Sequence, residues 1–245
     1  MKTILKTQSN FRDLGDIPAS GGRKIKSGLL FRSGDLYSIS DEDLFMLEKM
    51  EFQLIIDFRA QREIDRRPDR LVKTVKSVIH LDIFDGARDR SAKLLAENDA
   101  QGLKTVLVTD YRRMVIEHAP EFSRFLRILA TTSYLPMVYH CAAGKDRTGL
   151  ATIFLLTALG VEMNVVWQDY MATNHFSMGL TDKIIREVTA SGQNGEILRP
   201  LLEVRTEYLD AALDEIRKHY DSLENYVINI LKADYQALQS RFLEP

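Results

Sequence analysis

The stretch from Tyr134 to Gly160, YLPMVYHCAAGKDRTGLATIFLLTALG, leaves the backbone few choices. A run of strand character, YLPMVYH, gives way to a short polar segment containing glycine, after which Thr148 to Leu159 is almost wholly apolar. At twelve residues this second run is too short to cross a membrane and reads as a helix buried in a globular core. If the strand ends near His140 and the helix starts near Arg147, the chain between them must turn tightly into a helix N-terminus. Backbone N–H groups converge at such a place and form an anion cradle.

The one cysteine of the chain, Cys141, stands at the start of that turn. Ala142, Ala143 and Gly144 keep the cradle open, and Gly144 can take positive φ. The converging N–H groups, the helix end and the Arg147 cation all favour thiolate over thiol at Cys141. Arg147 adds a planar fork that can hold two oxygens of a phosphoryl group. These parts describe attack of sulfur on phosphorus through a cysteinyl-phosphate intermediate. Thr148 is placed to donate its hydroxyl to the sulfur, and His140 to bond loop backbone and hold Cys141. Lys145 either meets a second negative charge on the ligand or sits solvated beside Asp146. A nucleotide-hydrolase phosphate loop is excluded, because no glycine stands at the required distance before Gly144-Lys145.

Composition limits the partners. Lys and Arg total 33 against 35 Asp and Glu, so nothing global draws the chain to nucleic acid or an anionic membrane. A single cysteine forbids an intrachain disulfide and gives no support to a cysteine-built zinc site. His80, His118, His175 and His219 lack metal-ligand spacing, so no metal or cofactor is expected. No transmembrane segment is expected, and the N-terminal apolar core is too short for a signal peptide. The expectation is a cytoplasmic monomer, with secretion by a signal outside this sequence left open.

The element pattern is α/β. Strands are expected at Gln53 to Phe58, Tyr134 to His140, within VKSVIHLDI, and more weakly at GLLFR. Ser40 caps a helix whose first turn carries Asp41, Glu42 and Asp43. Pro120 begins another, with Phe122, Phe125, Leu126 and Leu129 along one face. NVVWQDYMATN and TDKIIREVTA read as two short helices capped by Asn164 and Thr181. Leu209, Leu213, Ile216 and Tyr220 mark a helix face, and a final helix pair spans about Leu223 to Leu243. Residues 86–110 are either a lid over the site or a peripheral helix pair.

HCAAGKDRTG fits the His-Cys-x5-Arg-Ser/Thr signature of cysteine-dependent phosphatases. With NFRDLG, LFRSGDL, IIDFRAQREI and the tail RTEYLDAALDEIRKHYDSLENYV, the chain resembles the bacterial tyrosine and phosphoinositide phosphatase family, which includes secreted mycobacterial members. The resemblance implies one phosphatase domain over residues 1–245, protein-tyrosine-phosphatase-like, with a mostly parallel central sheet flanked by helices and further helices at the C-terminal end. The implied substrates are phosphotyrosine in proteins, with phosphoserine, phosphothreonine or phosphoinositides beside it. No Trp-Pro-Asp triplet supplies a general acid, and Trp167 lies in a later helix. The family points to Asp85 instead, with Asp82 its nearest competitor and Asp146 a rival within the loop. By the same resemblance Asn10, Arg12 and Asp13 brace the loop. Arg59 and Glu63, four apart, pair with each other or buttress Asp146. Tyr111, Arg112 and Arg113 line the entrance or belong to a charged helix face. The rival functions are a sulfur transferase or arsenate reductase using the same cradle, and a phosphate-binding module without turnover.

Overall fold

Apolar residues alternate along three neighbouring strands, and the alternation divides the interior into two cores. In a computed structural model of the chain, the described residues are 5–8, 10–84 and 86–245, the side chains of 86–89 excepted. The strands are β1 (Arg12–Asp13), β2 (Lys24–Ile25), β3 (Leu30–Ser33), β4 (Leu54–Asp57), β5 (Ser77–His80), β6 (Met137–His140) and β7 (Leu243–Glu244). Five form one sheet in the order β1-β3-β6-β4-β5, parallel throughout except β1, which runs antiparallel to β3. Leu30, Leu54, Ile56, Met137 and Tyr139 face the larger core, and Phe31, Ile55 and Val138 the smaller. Both faces are buried, so the strands read as nearly continuous apolar runs. β6 begins at Met137 because Pro136 has no N–H for the ladder, although its carbonyl still accepts from the Gln53 N–H at 2.9 Å.

Helix α1 (Asp41–Lys49) starts where Ser40 Oγ accepts the Asp43 N–H at 3.1 Å. α2 (Gln61–Arg66) follows β4, and α3 (Gly86–Ala96) with α4 (Ala100–Glu117) occupies the segment expected as a lid or a helix pair. They form a helical hairpin, joined across its length by the Arg90–Asp110 ion pair. Leu103, Leu107, Tyr111, Met114 and Val115 of α4 are buried, so this helix belongs to the core. In α5 (Ala119–Thr131) the four expected apolar residues are all buried. α6 (Asp146–Ala158) follows β6 and is buried almost all round. It stops at Gly160, whose φ of 74° suits a glycine after a helix.

One of the helix expectations needs correction. The two short helices are one, α7 (Met163–Ala190), and Thr181 lies buried inside it instead of capping it. A glycine within a helix costs about 1 kcal/mol, and the buried face from Val166 through Tyr170 and Phe176 to Ile185 offsets Gly179. The expected final helix pair is present at 223–230 and 235–242, its first member winding into a π turn. After α8 (Arg199–Leu202) and α9 (Thr206–Tyr220) come α10 (Leu223–Asn225), a π turn over residues 226–230 and α11 (Tyr235–Phe242). The chain then ends as β7, antiparallel to β2, which closes the helical tail onto the N-terminal part.

The larger core turns on Phe154 of α6, which meets Phe122 at 4.9 Å and Tyr226 at 5.4 Å between ring centroids. Phe154→Ala is expected to lower the free energy of unfolding by about 3–5 kcal/mol in urea titrations. A loss below about 1 kcal/mol would mean that α6 does not organise this core.

Candidate active site

Parallel pairing puts Ser33, His140, Asp57 and His80 in one row at the C-terminal ends of β3, β6, β4 and β5. The segments leaving those four strands therefore start at one edge of the sheet, where open α/β sheets bind ligands. The turn from Cys141 to Lys145 joins β6 to α6 at this edge.

The turn is held from outside through its carbonyls. Cys141 O accepts from His140 Nδ1 at 3.2 Å, and Ala142 O from the Asp35 N–H at 3.0 Å. Asn10 Nδ2 donates to Ala143 O at 2.9 Å and to Gly144 O at 3.1 Å, and Arg32 Nη2 donates to Gly144 O at 2.9 Å. The N–H groups of Ala142, Ala143, Gly144, Lys145 and Asp146 find no acceptor among the described residues. Carbonyls directed outward and N–H groups left over make the cradle foreseen in the sequence. Gly144 cannot be replaced there: its φ is 69°, and a Cβ would collide with the Ser33 carbonyl.

Cys141 lies at the base of the turn, 2% exposed. Arg147, in the first turn of α6, forms a two-pronged pair with Glu63 of α2, Nη1 to Oε2 at 2.6 Å and Nη2 to Oε1 at 2.9 Å. Arg147 Nη1 also reaches Ile83 O at 3.3 Å, which ties the segment after β5 to the site. Burial opposes the charge of Glu63, but Arg147 overcomes this and holds its carboxyl below the ordinary range. Glu63 thus serves Arg147, and its Oε2 also accepts the Ala60 N–H at 2.9 Å. The expected Arg59–Glu63 pair is not formed, because α2 turns Glu63 toward α6.

Neither Arg59 nor Glu63 supports Asp146. Its Oδ1 instead accepts from Tyr111 Oη at 2.7 Å and from Lys145 Nζ at 2.8 Å. Lys145 is buried and paired within the loop, so it is not solvated, and in this arrangement it does not present its ammonium to a ligand. Burial, with the Asp146 charge, raises the Tyr111 hydroxyl well above its ordinary pKa, so it stays a proton donor. Tyr111 lies in the core rather than at an entrance. Arg112 and Arg113 are exposed, and Arg113 pairs with Glu117 and covers the Phe84 ring, as a charged helix face would.

Beneath the cradle lies a buried charge cluster. His140 Nε2 is 3.1 Å from Asp69 Oδ2, and Arg59 Nη2 lies 2.7 Å from both Asp57 Oδ2 and Asp69 Oδ2. Burial alone would strip the proton from His140, but the Asp69 carboxylate beside Nε2 and the Asp57 charge raise its pKa to about 9. Asp57, Asp69 and His140 bring potential ligand atoms within 4.8 Å of one another. Arg59 is already paired with both carboxylates, which makes this an ion-pair cluster rather than a metal cage.

Other sequence candidates fall elsewhere. Asp85 lies outside the described residues, and Asp82 is exposed. Asp13 accepts from the Gly15 and Gly28 N–H groups at 2.8 and 2.6 Å, so it shapes an N-terminal turn and does not touch the loop. Thr148 Oγ1 is buried with no hydrogen-bond partner among the described residues, so the expected bond to sulfur is not made here. Sequence reasoning missed Asp57 and Asp69, although IIDFRAQREI contains the first. It also missed Arg32, within LFRSGDL, and Asp169 on α7, for which no motif exists.

The chain matches the tyrosine phosphatase family over residues 4–244. It is 30% identical to a protein of Cupriavidus necator provisionally named a tyrosine-protein phosphatase, across 97% of this chain and 86% of that protein. It is 27% identical to the triple specificity protein phosphatase PtpB of Mycobacterium tuberculosis, across 89% of this chain and 90% of that protein. A tyrosine-protein phosphatase of Nostoc commune is 28% identical across 66% of this chain and 54% of that protein.

The charged His140 gives the site a pH signature. Its pKa in the folded state lies above the ordinary 6.5, so its contribution to stability is complete below pH 6.5 and is lost as pH rises through about 9. At about 1.4 kcal/mol per unit the loss is on the order of 3–4 kcal/mol. Urea titrations between pH 6 and 10 should show wild type losing that stability while His140→Gln stays nearly flat. Parallel curves for the two proteins would mean that His140 is not a buried cation.

Proposed function

As the chain belongs to the tyrosine phosphatase family, we propose that it hydrolyses phosphomonoesters at Cys141 through a cysteinyl-phosphate intermediate, with phosphotyrosine as the principal substrate. We take residues 1–245 as one phosphatase domain, a reading supported by the β2–β7 pair, which joins Lys24 and Ile25 to Glu244 and Leu243. The observation that carries the proposal is the pairing of the cradle with Arg147, whose guanidinium is held by Glu63 at 2.6 and 2.9 Å.

In the first step Cys141 Sγ attacks phosphorus. The S–P bond forms while the bond to the ester oxygen breaks, and the loop N–H groups with Arg147 take up charge on the phosphoryl oxygens. The departing oxygen needs a proton, and Asp85 is the proposed donor. The tie from Arg147 to Ile83 O supports this, because it fixes the chain two residues before Asp85 close to the guanidinium. Asp82 and Asp146 are less suited, the first exposed and the second already bonded to Tyr111 and Lys145. In the second step water gives a proton to the same carboxylate and attacks phosphorus, the P–S bond breaks, and phosphate leaves with Cys141 returned as thiolate.

Phosphoserine, phosphothreonine and mono-phosphorylated phosphoinositides are proposed as further substrates. PtpB of M. tuberculosis carries a triple specificity name, and Lys145 offers a second cation should a ligand draw it from Asp146. No helix among the described residues is long and apolar enough to cross a membrane.

Cys141→Ser is expected to lower phosphate release by roughly 10³-fold or more on every substrate. Asp85→Asn should keep a rapid first turnover on aryl phosphates with good leaving groups and lose turnover on phosphotyrosine peptide. Equal rates for wild type and Asp85→Asn on both would remove Asp85 from the role. Phosphotyrosine peptide and mono-phosphorylated phosphoinositides compared side by side, with Cys141→Ser as blank, test the order of substrates, which a large preference for lipid would reverse.

A further inference from the structure

Two arginines with fully buried side chains, Arg12 and Arg32, stand behind the phosphate loop, and both terminate on one carboxylate. Asp169 of α7, 2% exposed, accepts from Arg12 Nε at 3.0 Å with Oδ1 and from Arg32 Nη1 with Oδ2, and its own backbone carbonyl accepts from Arg12 Nη2 at 3.1 Å. From there two links run to the loop. Arg12 Nη1 donates to Asn10 Oδ1 at 2.5 Å, leaving Asn10 Nδ2 to bond Ala143 O and Gly144 O. Arg32 Nη2 donates to Gly144 O directly.

The geometry points to Asp169 as a positioning residue for the reaction, which fixes the two peptide planes following Ala143 and Gly144 so that the Gly144 and Lys145 N–H groups face the phosphoryl site. This rests on reading Cys141 to Arg147 as the phosphate-binding loop. A trans peptide directs its carbonyl and N–H to opposite sides. Holding Ala143 O and Gly144 O outward therefore turns those two N–H groups inward. Without the carboxylate, Arg12 and Arg32 would be two buried cations repelling each other, and the one-sided remnant of a buried pair is strongly unfavourable. Repulsion is already felt: burial, then the Arg32 charge, draws Arg12 down to about 10. Their separation would release the loop carbonyls.

The test compares wild type, Asp169→Asn, Arg32→Lys and the double variant on p-nitrophenyl phosphate, with orthovanadate and inorganic phosphate as inhibitors. Vanadate adopts the five-coordinate geometry of phosphoryl transfer and so reports transition-state fit. Asp169→Asn should lower kcat by roughly 10–100-fold with KM within about threefold, in line with losing oriented N–H donors. The inhibition constant for vanadate should rise at least about tenfold more than that for phosphate. Arg32→Lys keeps the charge on Asp169 but cuts the Gly144 link, and should move the same quantities the same way. The double variant should fall within about twofold of Asp169→Asn, since both act along one path. A folded Asp169→Asn enzyme with unchanged kcat and unchanged vanadate-to-phosphate ratio would overturn the proposal. If that variant does not fold, an unchanged ratio in both Arg32→Lys and Asn10→Ala overturns it equally. Failure of wild type to release phosphate would instead remove the phosphatase reading on which the proposal stands.

Discussion

Five consecutive N–H groups can face one point only if the carbonyls between them are occupied elsewhere, and that requirement organises much of the molecule. A buried carbonyl without a partner costs about 1–3 kcal/mol, so a loop that turns its carbonyls outward needs donors waiting for them. Three of those donors come from distant parts of the chain, Asn10 beside β1, Arg32 on β3 and the Asp35 N–H after β3, and the fourth, His140, directly precedes the loop. The antiparallel edge strand β1 is only two residues long. Its placement nonetheless brings Asn10 and Arg12 under the loop.

Two of these donors are cations, other cations stand close to the loop, and buried cations need counter-charges. Arg12 and Arg32 have Asp169, Arg59 has Asp57 and Asp69, His140 has Asp69, Arg147 has Glu63 and Lys145 has Asp146. Buried ion pairs of this sort seldom add net stability over apolar packing of equal volume. What they supply is position, since each pair has one good geometry and each sits within one or two bonds of the loop. Among these groups the cations outnumber the carboxylates by one when His140 is charged. A thiolate and a phosphate ester would therefore meet a site prepared for negative charge, whereas the whole chain carries a formal net charge of −2.

What was legible in the sequence follows the range of the interactions. The strand, turn and helix around Cys141 could be read because apolar periodicity, small residues and glycine act within a few residues of one another. Ser40 as a cap and the face of Phe122, Phe125, Leu126 and Leu129 were readable for the same reason. Asp169 was not, because its partners are Arg12 and Arg32, and nothing local marks a carboxylate on a helix face as buried. The Arg59–Glu63 spacing suggested an intrahelical pair, yet Arg59 precedes α2, so the two are not neighbours on a helix surface. α7 was divided in the reading because Thr181 resembles a cap. Only the tertiary burial of Tyr170, Phe176 and Ile185 makes it continuous.

The continuity of α7 matters for the site because of how Asp169 is restrained. It stands in the second turn of a helix of 28 residues, with Val166, Tyr170 and Thr173 buried around it. Thr173 Oγ1 accepts from the same Arg12 that Asp169 binds, at 3.2 Å, and Tyr170 Oη lies 3.0 Å from Tyr111 Oη, which in turn holds Asp146. One helix thus reaches both sides of the loop, through arginines behind Gly144 and through two tyrosines beside Asp146. A carboxylate on a flexible segment would have to be ordered each time it met its arginines, at the entropic cost of fixing a side chain and its backbone. Anchored in α7, it is ordered once, when the chain folds, and the cradle is formed before any ligand arrives.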